Sequence, residues 1–253
     1  MTIKVLLLGG TTEGRLLAER LAGDARYDVL LSFAGRTENL QRPDLPHRVG
    51  GFSGAQGLSQ FILSGGYQTL VDATHPFAAQ ISGNAVRAAA ASGVPLLRLL
   101  RPAWQAQTGD QWQTVGDMQQ AATALGNRPR RVFLTVGKLE LPAFEAAPQH
   151  HYLIRTIDTL TPGLPHARLL TARGPFALAD ELALLQRERI ELLVSKNAGT
   201  HATYAKLEAA RSLGIAVIMV ARPSLLPAPE VSTLAEVEQW LAGHAQASSR
   251  RGE

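Results

Sequence analysis

The chain has 253 residues, of which 45% are hydrophobic, 18% charged and only 6% aromatic. This composition excludes a disordered chain and supplies a core for one large domain or two compact ones. The 25 basic residues outnumber the 21 acidic ones, giving a net charge of +4, and all but four of the basic residues are arginines. Guanidinium groups match carboxylates and phosphates, so the arginines indicate an anionic ligand, with biased codon usage as the alternative explanation.

Several function classes are disfavoured by features that the sequence lacks. It has no cysteine, which excludes disulfides, thiolate metal sites and a cysteine nucleophile. No apolar run reaches the ~18 residues of a membrane span and no signal-like segment is visible, so we expect a cytoplasmic protein without membrane contacts. The arginines are scattered rather than clustered with aromatic residues, so nucleic acid is not an expected partner.

Strand and helix patterns alternate along the first half of the chain. Apolar runs of strand length occur at residues 3–8, 27–33, 69–72 and 94–100. Helical spacing of apolar residues lies between them, at residues 15–21, 58–63 and 78–91. This βαβ alternation predicts an α/β fold with a parallel sheet and right-handed crossovers.

The second half of the chain repeats this plan. The run Val132–Gly137 lies 127 residues after the similar run Val5–Gly10, and each opens a helical pattern. A helix end, a strand and an Arg-Pro pair also recur 121 residues apart, closing at Arg101-Pro102 and Arg222-Pro223. We therefore predict two Rossmann-like domains with parallel sheets, related by internal duplication.

The domain borders are predicted from breaks in the helical pattern. Gly, Asn and Pro interrupt it near residues 126–130, which predicts an N-terminal domain of residues 1–127 and a C-terminal domain of residues 128–243. Residues 244–253 form a polar segment that we expect to be a flexible tail. Strand patterns near residues 111–115 and 230–233 end the two repeats, which leaves open whether these edge strands are exchanged between the domains.

The turn after the first strand predicts an anion-binding site. Backbone N–H groups at the start of the following helix favour a pyrophosphate. The sequence lacks the Lys-Ser/Thr of a P-loop, so nucleotide hydrolysis is not expected, and a tight turn with a threonine N-cap is the structural alternative. The predicted cofactor-binding residues of this turn are Gly9, Gly10, Thr11, Thr12 and Glu13.

The end of the second strand favours NADP over NAD. NAD sites commonly offer an acidic residue there to the ribose 2′-hydroxyl, whereas this chain has Ser32, Arg36 and Thr37 and no acid before Glu38. An arginine with two hydroxyl donors suits the 2′-phosphate of NADPH. The alternative is an arginine on a solvated loop.

Two further loops carry candidate catalytic and substrate-binding residues. Asp72, Thr74 and His75 follow a strand at its carboxyl end, the ligand side of a parallel sheet; a capping Asp and a packed His are the structural alternative. No second histidine stands at ligand spacing, so no metal is expected. In the second half, similar loops contain Arg173, Gly174, Lys196 and Asn197, which could bind carboxylates or shape a turn.

Five segments of the sequence are distinctive when taken together: LLGGTTEG at 7–14, DATHPFA at 72–78, RGPF at 173–176, SKNAG at 195–199, and AAR at 209–211 leading to Arg222-Pro223. The set resembles the precorrin-6A reductase family of corrin (cobalamin) biosynthesis, and the Asp-Ala-Thr-His-Pro-Phe-Ala string is its most specific member. Ala198 stands where that family often has Ser, and Thr200 and His201 where it often has Gly, which affects hydrogen bonding by that loop.

The resemblance implies NADPH-dependent reduction of a macrocycle double bond of precorrin-6A, giving precorrin-6B. It also implies an N-terminal domain that binds NADPH, a C-terminal domain that binds the polycarboxylate tetrapyrrole-derived substrate, and a cleft between them. A proton must follow the hydride, and His75, Asp72, Lys196 or a bound water are the candidate donors. His75 leads, because an unperturbed imidazole has a pKa near ~6.5. We expect a monomer.

Three alternatives are also compatible with the sequence. A cobalt-precorrin-6A reductase of the anaerobic route would differ only by a metal in its substrate. A non-catalytic NADP-binding module would keep the glycine turn and Arg36 without an anionic second site. An arginine-rich nucleic-acid binder would lose DNA affinity steeply with added salt.

Overall fold

The computed structural model describes residues 2–35 and 44–250, which divide into two compact units. Unit 1 consists of Met1–Pro102 and Ser224–Glu253, and unit 2 of Ala103–Pro223. The strands of unit 1 are β1 (Ile3–Leu8), β2 (Tyr27–Phe33), β3 (His47–Val49), β4 (Thr69–Asp72), β5 (Leu96–Leu99) and β12 (Glu230–Val231), and its helices are α1 (Thr12–Ala22), α2 (Gly54–Gly65), α3 (Ala79–Ser92) and α7 (Leu234–Arg250).

Unit 2 has a matching set of elements. Its strands are β6 (Trp112–Val115), β7 (Arg131–Thr135), β8 (His151–Thr156), β9 (Ala167–Thr171), β10 (Leu192–Lys196) and β11 (Ala216–Val220). Its α-helices are α4 (Met118–Ala124), α5 (Leu178–Arg187) and α6 (Ala205–Leu213), and two 3-10 segments span Lys138–Ala146 and His201–Thr203.

Both described sheets are parallel and have the same strand order. Unit 1 runs β12-β5-β4-β1-β2-β3 and unit 2 runs β6-β11-β10-β7-β8-β9. Each is the doubly wound Rossmann order, so the prediction of two Rossmann-like domains with duplicated architecture is confirmed. Within the described ranges, no helix combines the length and apolar character that crossing a bilayer requires.

The sheet of unit 1 is covered on both faces because strand residues alternate between them. Leu7 of β1 packs with α1 and with α7, through Leu17 and Leu241. Its neighbour Leu6 packs on the opposite face, where Leu58 and Ile62 of α2 and the alanines of α3 form a second cluster. Strands buried on both faces read as continuous apolar runs, which explains why β1 and β4 were visible in the sequence.

Each sheet takes its last edge strand from the other half of the chain. β6 follows the first half but pairs with β11, where Trp112 is opposite Val217, and β12 returns to pair with β5, where Glu230 is opposite Arg98. The exchange that the sequence left open is therefore present. The chain passes from unit 1 to unit 2 after Pro102 and returns to unit 1 after Pro223. Each crossing therefore comes immediately after one of the two Arg-Pro pairs in the sequence.

The exchange corrects the predicted domain borders at residues 127/128 and 243/244. Residues 126–130 are the connection from α4 to β7 inside unit 2, because the edge strand β6 and the helix after it already belong to that unit. Each sequence repeat therefore ends with one strand and one helix that belong to the other unit: β6 and α4 in the first repeat, β12 and α7 in the second. The helix α7 continues to Arg250, so residues 244–250 of the expected flexible tail are helical.

Candidate active site

Unit 1 has a topological switch point between β1 and β4. These strands are neighbours in the sheet, with β2 beyond β1 on one side and β5 beyond β4 on the other. The chain after β1 enters α1 on one face, and the chain after β4 enters α3 on the opposite face. This divergence opens a crevice at the carboxyl ends of the strands, where open α/β sheets bind ligands.

The glycine turn between β1 and α1 borders this crevice. A Cβ atom at Gly9 would lie 2.6 Å from Leu31 Cδ1 and would force the Leu31 side chain to shift, and Gly10 has φ +128°, a backbone conformation that favours glycine. Thr11 is the N-cap: its Oγ1 accepts a hydrogen bond from Gly14 N at 3.0 Å and donates to Ala73 O at 2.8 Å. The threonine thus fixes the start of α1 against the loop after β4, with further helix N–H groups facing the crevice.

Glu13 in the first turn of α1 forms an ion pair with Arg101, which follows β5. Burial lowers the pKa of the Arg101 guanidinium, and the Glu13 charge opposes that effect. The predicted cofactor residue Glu13 therefore has a partner within unit 1. The pair joins the start of α1 to the far side of the switch point.

At the end of β2, Ser32 is buried and accepts a hydrogen bond from Arg48 Nη1 at 2.9 Å. Arg48 belongs to the neighbouring strand β3 and lies opposite Ser32 in the sheet register. The other two predicted 2′-phosphate residues, Arg36 and Thr37, lie outside the described residues. The structure therefore brings to Ser32 an arginine that sequence spacing did not single out.

Asp72 ends β4 with both carboxylate oxygens engaged. Oδ1 accepts hydrogen bonds from Thr74 N at 3.2 Å and Thr74 Oγ1 at 2.7 Å, and Oδ2 lies 3.4 Å from Arg98 Nε. Asp72 and Arg98 are 1% and 4% exposed. The Asp72 side chain is thus held in the interior of unit 1 by Thr74 and Arg98.

His75 lies in a tight turn after β4. Pro76 follows it, Ala78 N donates to His75 O at 2.7 Å, and Phe77 N donates to His75 Nδ1 at 3.2 Å. An accepting Nδ1 means that the proton of the neutral imidazole resides on Nε2. The ring is half-buried.

In unit 2, the loop after β10 is organised by an ion pair and by hydrogen bonds to the backbone. Lys196 Nζ lies 2.9 Å from Glu140 Oε1, in the 3-10 segment that follows β7. Asn197 Oδ1 accepts from Trp104 N at 2.7 Å, and its Nδ2 donates to Trp104 O at 2.9 Å. The Asn197 carboxamide is thus used to hold the chain as it enters unit 2.

The remaining predicted residues lie between β9 and α5. Arg173 is exposed, whereas Gly174 packs closely, since a Cβ there would lie 2.7 Å from Ala202 O. Gly174 therefore serves loop packing. Among residues 2–35 and 44–250, no group of three potential His, Cys, Asp or Glu metal ligands is found.

A family model described as precorrin-6x reductase CbiJ/CobK matches residues 4–242. The chain belongs to this family. A precorrin-6A reductase from a Sinorhizobium species is 49% identical over 245 residues, covering 94% of each chain, and one from Rhodobacter capsulatus is 48% identical over 244 residues, covering 95% of this chain and 96% of that one. A cobalt-precorrin-6A reductase from Priestia megaterium is 31% identical over 249 residues, covering 92% of this chain and 96% of that one.

A solved structure agrees with the sequence comparison. The structure named CobK precorrin-6A reductase has a TM-score of 0.91 and 47% identity, and the match covers 96% of this chain and 97% of that one. The resemblance drawn from five short segments is thereby confirmed over almost the whole chain. Membership in a reductase family indicates an oxidoreductase supplied with electrons by a nicotinamide cofactor.

Sequence reasoning missed a buried charged cluster at the carboxyl end of the second sheet. Arg155 of β8 forms a two-point pair with Glu181, its Nη2 lying 2.6 Å from Oε1 and its Nη1 3.1 Å from Oε2. Lys206 at the start of α6 donates to Thr203 O at 2.9 Å and faces the Trp104 ring. Burial, with the Arg155 charge, lowers the pKa of Lys206 to about 7. Only tertiary packing makes these side chains neighbours.

Proposed function

We propose that this protein catalyses the NADPH-dependent reduction of a macrocycle double bond of precorrin-6A to give precorrin-6B. The observation that carries the proposal is the capped start of α1 at the switch point of unit 1, in a chain whose relatives named precorrin-6A reductase include three that are 45–49% identical to it. The cobalt-precorrin-6A alternative is less well supported, because the relative of that name from Priestia megaterium is 31% identical.

Unit 1 is the proposed cofactor domain. Gly9 and Gly10 form a cradle that any Cβ would fill or strain, and Thr11 and Thr12 start the helix whose N–H groups favour a pyrophosphate. Ser32, with Arg36 and Thr37, is proposed to bind the 2′-phosphate. When bound, the cofactor supplies the hydride.

Unit 2 is the proposed substrate domain. Lys196 and the exposed Arg173 are cations at or near the carboxyl end of its sheet, and each suits a carboxylate of a tetrapyrrole-derived acid. Glu140 holds Lys196 in place, and Asn197 acts through the Trp104 backbone rather than by direct contact. The expected cleft between the domains stays a prediction.

His75 is the proposed proton donor. Of the three candidates, Asp72 is bound to Arg98 and Thr74, Lys196 is bound to Glu140, and His75 carries an imidazole whose Nδ1 accepts the Phe77 N–H. An unperturbed imidazolium releases a proton near neutral pH, which is the property that a proton donor to the reduced macrocycle needs. A water held by this loop is the alternative source.

The proposal is tested with four reactions of the purified protein: metal-free or cobalt-bearing precorrin-6A, each with NADPH or NADH. We expect the metal-free substrate with NADPH to have the highest kcat/KM. A higher value with the cobalt-bearing substrate would overturn the substrate assignment. Tight NADPH binding without turnover of either substrate would support the non-catalytic module instead.

A further inference from the structure

A buried polar network lies next to the loop that carries His75. Strand residues two positions apart share a face, so Asp72 and Arg98 follow Leu70 and Leu96 on the side of the sheet that α3 covers. Asp72 lies opposite Arg98 in the register, and the two side chains form an ion pair across β4 and β5. The network therefore begins where the apolar layer of this face ends, at the ligand end of the sheet.

The segment that returns from unit 2 holds Arg98 in place. Arg98 Nη2 donates to Leu226 O at 3.1 Å, and Nη1 lies 3.6 Å from Glu230 Oε2 in β12. The backbone N–H of Arg98 donates to Pro229 O at 2.9 Å. Because β12 joins this sheet only through the exchange of edge strands, that exchange supplies the contacts that orient the guanidinium.

Thr74 and Ser82 extend the network to α3. Thr74 Oγ1 donates its one hydrogen to Asp72 Oδ1 and lies 3.1 Å from Ser82 Oγ, so the Ser82 hydroxyl is the donor in that contact. Ser82 is buried within α3. Between Asp72 and Thr74, Ala73 O accepts the hydrogen bond from Thr11 Oγ1. The loop is therefore tied to β5, to α3 and to the start of α1 immediately before its histidine.

The matching place in unit 2 shows that this type of sheet does not need the ion pair. There Ser195 lies opposite Met219, and both side chains are uncharged. Burying an ion pair costs desolvation energy, and its replacement by uncharged residues that pack well is often neutral or stabilising. The stability of the sheet therefore does not explain the pair in unit 1, whereas its directional hydrogen bonds fix the loop that precedes His75.

We propose that Arg98 is a positioning residue for the reduction: through Asp72 and Thr74 it fixes the place of the loop that carries His75. This inference rests on the proposed function, with the crevice of unit 1 as the place of reaction. A misplacement of about 1 Å can lower a reaction rate by about 100-fold, so a loosened loop slows the reaction even where the cofactor still binds.

The test gives unit 1 the uncharged pair of unit 2, as the double variant Asp72→Ser with Arg98→Met of the full-length protein. Both charges of the pair are removed together, so we expect a cooperative urea transition. With saturating precorrin-6A and NADPH, the single-turnover rate should fall by about 10- to 100-fold, and the dissociation constant of NADPH should stay within about threefold. A wild-type rate in the folded double variant would overturn the positioning role.

Ser82→Ala tests the same network from α3 without changing a charge. Loss of one hydrogen bond to the loop should lower the single-turnover rate by about 3- to 10-fold, with KM for the substrate within about twofold. Ser59→Ala is the matched control, because Ser59 is a buried serine of the neighbouring helix α2 and lies outside the network; its rate should equal that of wild type.

A loss confined to the double variant would mean that Asp72 or Arg98 acts on the reactants directly, and equal losses in the two serine variants would mean that packing alone is affected. Either result overturns the proposal. If the double variant does not fold, Ser82→Ala decides, and a wild-type rate then overturns the positioning role. A wild-type protein that reduces neither metal-free nor cobalt-bearing precorrin-6A would instead overturn the proposed function.

Discussion

The two units share a sheet order but differ in the segment that leaves their first central strand. Gly10 and Glu13 of unit 1 match Gly137 and Glu140 of unit 2 at the same offset of 127 residues. In unit 1 a threonine N-cap starts a regular α-helix, whereas in unit 2 the chain enters an uncapped 3-10 segment with an internal proline. Of these two segments, α1 alone offers a regular array of free helix N–H groups, which favours the dinucleotide in unit 1.

The matching glutamates have different partners. Glu13 pairs with Arg101 in unit 1, and Glu140 pairs with Lys196 in unit 2. The buried Asp72–Arg98 pair of unit 1 is replaced in unit 2 by Ser195 opposite Met219. The charged residues at the carboxyl ends of the strands can therefore differ completely between two duplicated sheets. The strands themselves are specified by the apolar pattern of the interior, which both sheets share.

The strongest change is expected at the neutralised cation of unit 2. Arg155→Met leaves Glu181 buried without a counter-ion and should lower the free energy of unfolding by about 3–5 kcal/mol in urea titrations. Arg48→Met, at the neighbouring position of the other sheet, leaves no carboxylate of the described residues without its ion pair and should cost much less. Equal destabilisation by the two variants would contradict the distinction between the two cations.

A large kinetic change is expected at His75, the proposed proton donor of unit 1, whose place in the matching loop of unit 2 is taken by Ala198. His75→Gln should lower the single-turnover reduction rate by about 100-fold under saturating substrate and NADPH. A residue that only positions substrate would raise KM at an unchanged rate. Retention of the wild-type rate would exclude His75 as the donor.

Arg36→Ala tests whether unit 1 alone binds the cofactor. Removal of a partner of the 2′-phosphate should weaken NADPH binding by roughly 10- to 100-fold more than NADH binding, measured by equilibrium titration. The same change at Arg173 in unit 2 should leave both cofactor affinities unaltered. A similar loss for NADPH and NADH would argue against contact between Arg36 and the phosphate.

The smallest expected effect is on the pH dependence of the free energy of unfolding, through His150 of unit 2. His150 is fully buried; its Nδ1 accepts from Arg130 N at 3.2 Å and its Nε2 donates to Gly126 O at 3.1 Å, and burial lowers its pKa. A lowered folded-state pKa contributes stability above the unfolded value of ~6.5, which is lost as the pH falls below it.

His150→Gln should therefore flatten the acid side of the stability profile, by about 0.5–1.5 kcal/mol, the value of one hydrogen bond. The counterpart in unit 1 is Tyr27, whose pKa burial raises, so Tyr27→Phe should leave the profile unchanged in this range. Urea titrations at several pH values between ~5 and ~8 measure both variants against wild type. Identical profiles for wild type and His150→Gln would show that the ring does not titrate with folding.

The parallel sheets, the duplication and the loops at the ligand ends could all be predicted from the sequence. Local sequence patterns predict these features: apolar runs such as Val5 to Leu8, a glycine turn, and the repeated Arg-Pro pairs. Short sequence motifs such as the one containing Asp72 and His75 also indicated the family. The match to relatives over nearly the full length of the chain confirms that membership.

The sheet that each last strand joins, and hence the limits of the two units, could be read only from the folded chain. β6 and β12 are short and nearly equivalent in pattern, and their hydrogen bonds go to residues more than 100 positions away. The same holds for Ser32 with Arg48, Asn197 with Trp104 and Arg155 with Glu181, which meet across strands and loops. Sequence periodicity indicates which face of a helix or strand a residue occupies. The partner of that strand or side chain depends on interactions between segments that are distant in the sequence, and a local pattern does not contain that information.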